Sequence, residues 1–205
     1  AKLRSGDDCD DDYFNPWTPL TRACHNNQAN MVELLLRSRA DPNAGSEQNC
    51  FRTALVTICN GHDDRIDDRE LICTLLECRA DVNGRPHGVS GDQLFRSPLF
   101  HACRDYKPKV VKLLLARRAD VNTADEYRDS PLHVAAGAGC SAAVVQLLHA
   151  RADANALDRD GHTPREAQLK WHLMNRTKLH DISRIRELLG QKSDESDEST
   201  VKTIA

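Results

Sequence analysis

The chain has 205 residues, with 28 Lys and Arg against 31 Asp and Glu, a net charge of −3 and 4% aromatic residues. That balance lacks the basic excess of a nucleic-acid binder, and no apolar run approaches the ~18 residues of a membrane span. The opening AKLRSGDDCDDD has no apolar stretch and so is not a secretory signal; it starts at Ala1 rather than Met, which leaves room for a longer parent chain.

Residues 1–17 form an acidic lead whose Phe14 and Trp17 are placed to cover the first apolar unit. At 18–24 the chain reads TPLTRAC. A Thr hydroxyl caps a helix, and Pro suits the first turn, where its missing N–H has no acceptor to lose. A turn follows, then a second helix in which Val32 stands three residues before Leu35-Leu36, on one face. SRADPN at 38–43 closes the unit, its Asp and Asn being residues that make local turn hydrogen bonds.

The same order recurs down the chain. TALVTIC at 53–59 leads to Ile72, Leu75-Leu76 and CRADVN at 78–83. SPLFHAC at 97–103 leads to Val111, Leu114-Leu115 and RRADVN at 117–122. SPLHVAA at 130–136 leads to Val144, Leu147-Leu148 and ARADAN at 150–155, and a weaker TPREAQ opens at 163. The unit starts at 18, 53, 97, 130 and 163. The second unit carries five extra residues between its helices, in GHDDRIDDRE at 61–70, and a long Gly- and Pro-containing loop precedes Ser97. An amphipathic stretch runs to Leu189 as a closing cap, and 190–205 reads as a disordered acidic tail.

A period near 33 with T-P-L-H-x-A resembles the ankyrin-repeat family. The resemblance covers 18–189 and implies an all-α solenoid of stacked helix-turn-helix units with projecting loops. A single unit cannot bury its own apolar face, so stacked neighbours must share one core. In the family the place before Ala-Asp is usually Gly, because a left-handed residue ends the helix. Here Arg39, Arg79, Arg118 and Arg151 stand there. Two readings compete: a tolerated strain offset by a cation near helix carbonyls, or an arginine ladder for an acidic partner, which Asp41, Asp81, Asp120 and Asp153 would blunt.

Of the eight cysteines, Cys24, Cys59 and Cys103 share one repeat position that Ala136 fills in the fourth unit, so they read as buried packing residues in a reducing compartment. HDDRIDDRE lacks the calcium pattern, and no phosphate loop, nucleophile elbow or His-Glu-x-x-His is present. The chain is therefore expected to be non-catalytic, with no catalytic residue, cofactor or metal. The resemblance implies a protein-binding scaffold that meets its partner with loop tips and the exposed side of the first helices. Carried over by position, the candidates are Trp17, His25, Asn26, Arg52, Arg96, Arg104, Tyr127, Asp129 and His162. The expectation is an intracellular monomer, cytoplasmic or nuclear, that binds a protein and neither nucleic acid nor membrane. The alternative is an accessory segment of a larger enzyme or channel that positions a substrate or partner.

Overall fold

The computed structural model describes residues 17–45, 52–61, 68–85, 96–168 and 189. The acidic lead to residue 16, Cys50, the insertion at 62–67, the loop at 86–95, the stretch 169–188 and the tail lie outside the described residues. Helices come in pairs: α1 (Pro19–His25) with α2 (Ala29–Arg37), α3 (Ala54–Cys59) with α4 (Asp68–Glu77), α5 (Pro98–Arg104) with α6 (Pro108–Ala116), and α7 (Pro131–Gly137) with α8 (Ser141–His149). A further helical turn opens at 164–168, and the described residues contain no strand. Eight residues separate α3 from α4 where three separate the other pairs, so the second unit's extra length falls between its helices.

Each first helix starts at a hydroxyl. Thr18, Thr53, Ser97 and Ser130 accept the backbone N–H three residues on, at 3.1, 3.4, 3.1 and 3.4 Å. The first helices α1, α3, α5 and α7 stack in one layer, and α2, α4, α6 and α8 stack in a second. The core runs unbroken between them. Leu20, Leu55, Leu99 and Leu132 enter it from the first layer, and Val32, Ile72, Val111 and Val144 from the second. Of the paired leucines, Leu75, Leu114 and Leu147 are fully buried, whereas Leu35 in the first unit is only partly covered. Burying a leucine contributes about 1.5–3 kcal/mol. Cys24, Cys59 and Cys103 are buried and in no disulfide, as their shared position with the buried Ala136 requires. Burial pushes the Cys24 thiol up to about 12.

The second helices all end alike. Arg39, Arg79, Arg118 and Arg151 have φ of 63°, 67°, 64° and 64°. Each arginine N–H returns to the second leucine of the pair, and the following alanine N–H returns to the first, for example Arg118 to the Leu115 carbonyl and Ala119 to that of Leu114. This is a Schellman end with arginine in the left-handed place. The chain then turns on Asp: Asp41, Asp81, Asp120 and Asp153 each accept the N–H of the Asn two residues later through Oδ1, at 2.9–3.0 Å. The Asn side chain reaches the next unit. Asn43 Oδ1 accepts the Asp81 N–H at 2.7 Å, Asn83 that of Asp120 at 2.8 Å, and Asn122 that of Asp153 at 3.0 Å. Asp-x-Asn therefore makes both the turn and a link between units.

Candidate partner-binding edge

Loop tips are built by aspartates, buried at Asp125 and partly buried at Asp158. Asp125, 1% exposed, accepts the N–H of Tyr127 and of Asp129 through Oδ1, both at 2.9 Å, and its own N–H donates to the Asp129 carbonyl. Arg128 takes φ 63° at the bend. Asp158 repeats the arrangement one unit on: its Oδ1 accepts from Asp160 at 2.9 Å and His162 at 2.8 Å, and Gly161 takes φ 82°. The Arg159 N–H donates to the Tyr127 carbonyl at 2.8 Å and joins the two tips.

Arg96 lies against the first of these tips. Its Nε is 3.3 Å from Asp125 Oδ2 and its guanidinium 3.8 Å from Glu126, and it stands over the rings of Phe100, at 5.4 Å, and Tyr127, at 5.9 Å. The structure thus brings candidates Arg96 and Tyr127 together, with Tyr127 still 46% exposed. Arg104 donates from Nε to Asp105 at 3.1 Å and from its terminal nitrogen to Asn60, bridging α5 to the end of α3. At the start of the array Trp17 meets His25 edge-on at 4.4 Å, with the Arg22 guanidinium 5.2 Å from the indole. Asn26 caps the end of α1 and is exposed, and Arg52 is half-buried just before the cap of α3. Asp129 is half-buried; desolvation first, then the Asp125 carboxylate, raise its pKa above the ordinary value. His162 is tied into the fold, its carbonyl 3.1 Å from His133 Nε2 and its ring 3.5 Å from Asp158. These candidates do not converge on one centre. They line an edge.

Asp158, Asp160 and His162 place donor atoms within 4.8 Å of one another. Asp158 Oδ1 is already committed to two backbone N–H groups, so the group reads as the turn that Asp125 builds, with His162 in the place of Asp129.

Sequence reasoning missed His101. It is 3% exposed, and its Nδ1 has no hydrogen-bond partner among the described residues. The only signal was its register. In the fourth unit His133 stands three residues after its capping serine, and Ser130 Oγ lies 2.8 Å from its Nδ1. In the third unit Phe100 takes that place and the histidine falls one residue later.

Family models of ankyrin repeats match the chain twice: three copies over residues 65–160 and a single repeat over 17–47.

Proposed function

The chain belongs to the ankyrin-repeat family, and from that premise we propose that it is a non-catalytic scaffold that binds a partner protein along the edge just described. Ankyrin repeats are in general protein–protein interaction modules and are typically non-catalytic. The observation that carries the reading is positional. Trp17, Arg52, Arg96, Asp129 and His162 each stand one residue before the Ser or Thr that opens a unit, so the stack sets them in one row. Tyr127 and the exposed ends of α1 and α5, with His25, Asn26 and Arg104, flank that row. Aromatic and arginine side chains held in fixed places are frequent interface anchors. The buried thiols, in no disulfide, fit a reducing compartment, cytoplasmic or nuclear. No helix among the described residues is long and apolar enough to cross a membrane. Among the described residues the exposed large apolar side chains are Met31 and Leu34 on α2 and Tyr106, Tyr127 and Leu157 in loops, a spread that fits a monomer.

The test is affinity capture followed by two variants. Changing Arg96 and Tyr127 to Ala should weaken the captured partner by about tenfold or more, whereas Leu34→Ser, on the exposed side of α2, should leave it unchanged. Equal retention by the two variants sinks the reading.

A further inference from the structure

The second-helix layer carries its charge unevenly. α2 contains Glu33, and α4 contains Asp68, Glu70 and Glu77, whereas α6 and α8 contain no acid. On α2 the charges meet each other, with Arg37 3.3 Å from Glu33. On α6 they do not. Lys109 and Lys112, three residues apart and so on one side of the helix, are exposed. Arg117 follows at its end, also exposed, with a guanidinium nitrogen 3.7 Å from the Cys73 sulfur of α4. None of the three has an acidic partner among the described residues.

The two sides of this basic face differ. Lys109 and Lys112 stand five and two residues before Leu114. At the same places α4 has Glu70 and Cys73, and α8 has Ala142 and Val145. An anionic segment arriving over α4 meets a carboxylate, and one arriving over α8 meets none. Lysines on an open helix face are ordinarily just solvated; what distinguishes these is an anion tethered to the same array. Leu189 still packs against the core. Beyond it the chain reads KSDESDES at 192–199, with Asp194, Glu195, Asp197 and Glu198 inside five positions. These acids lie five to nine residues past Leu189, a reach of about 17–32 Å in an extended chain. Packed helices stand about 8–10 Å apart, so the tail is long enough to cross α8 and come to α6.

We infer that residues 194–198 dock on the outer face of α6, their carboxylates against Lys109, Lys112 and Arg117, by a path across the acid-free α8. Exposed ion pairs are individually weak. Tethering offsets that weakness, because a short flexible link holds the acids at an effective concentration on the order of millimolar. The contact is loose and salt-sensitive. Ser193, Ser196 and Ser199 stand among the acids. A phosphate on any of them adds close to two negative charges and tightens the docking. The docked tail shields the basic face of α6 from other anions and leaves the first-helix edge open. This inference concerns the opposite helix layer and does not rest on the protein-binding reading.

The experiment treats the full chain with a water-soluble carbodiimide, which joins a lysine amine to a touching carboxylate as an amide and takes up the water lost. Mass spectrometry then reads the joined peptides. In the monomer fraction the tail acids should be joined to Lys109 and Lys112 at least about fivefold more than to any other lysine outside the tail, and about 0.5 M salt should abolish that excess. A second measurement follows the backbone amide resonances of 194–198 in the full chain. They should move between low salt and about 0.5 M salt, and Lys109→Gln with Lys112→Gln should abolish the movement. Arg39→Gln with Arg79→Gln, which removes two charges from the ends of α2 and α4, should leave it intact. An equal response to that pair would reduce the docking to diffuse attraction and overturn it. So would tail acids joined evenly to all lysines or to neither Lys109 nor Lys112. Links to Lys109 and Lys112 found only in a dimer would overturn it too, and would assign the face to a second copy.

Discussion

A shift of one residue separates the chemistry of His133 from that of His101. His133 is fixed by its capping serine and by the His162 carbonyl, and so links two units. His101 has no such tether, and burial, reinforced by Arg104, Arg52 and Arg96, holds its pKa well below the ordinary value. The folded chain therefore binds this proton more weakly than the unfolded chain does. Stability present above the ordinary histidine pKa, about 6.5, is lost as pH falls through that value toward the lower folded one. Urea melts should give a lower midpoint at about pH 5.5 than at about pH 7.5, and His101→Thr should reduce the difference. An unchanged difference would assign the pH dependence to other histidines. The displaced register of His101 was readable in SPLFHAC. Its burial was not, because two of the three arginines stand outside the helix that carries it, one of them in another unit.

Among the elements, the helix ends show what a repeated motif reveals and what it hides. The family resemblance implied a left-handed residue where Arg precedes Ala-Asp, and four φ values between 63° and 67° stand there. A non-glycine residue in that conformation costs about 1–2 kcal/mol. Replacing Arg118 by Gly removes that strain but loses about 0.3–1 kcal/mol of interaction with the helix dipole and adds unfolded-state entropy. The balance should be a gain on the order of 0.5 kcal/mol, or about 1–2 °C in melting temperature; Arg118→Ala keeps the strain and should give no gain. A clear loss in Arg118→Gly would mean that the arginine makes a native contact worth more than the strain. Asp-x-Asn was readable as a turn, but its bond to the next unit was not, since a linear motif does not show which neighbouring N–H comes within reach. Asn43 is 6% exposed and holds both the Asp81 N–H and the Arg79 carbonyl, the latter at 3.0 Å. Asn43→Ala should cost about 2 kcal/mol and lower the melting temperature by about 4–8 °C. Asn155 makes only the local turn bond among the described residues. Thermal melts of Asn155→Ala should therefore show a much smaller drop, and equal drops would reduce the inter-unit bond to a bystander.

At the scale of the molecule, the main helix packing among the described residues runs between neighbouring units: α4 packs on α2 and α6, and α6 on α4 and α8. Stability in such a stack is a sum of unit and interface terms, so damage stays near its source. The row of candidate side chains depends on that property, because one unit's residues are placed by the next unit's loop, as Arg96 is by Asp125. Leu114 in α6 is fully buried in the core between the layers. Leu114→Ala opens a cavity there and should cost about 3–5 kcal/mol. Amide hydrogen exchange should report where the loss falls. Protection should drop in α5 and α6, which carry the cavity, and in the helices of the neighbouring units, α3, α4, α7 and α8. It should persist in α1 and α2, which reach the altered site only through another unit. The Arg96–Tyr127 pairing spans the weakened interface, so a partner held there should be lost before one that contacts Trp17 and His25. A uniform drop from α1 to α8 would show that the described units open as one cooperative body, and the nearest-neighbour account of the array would have to be abandoned.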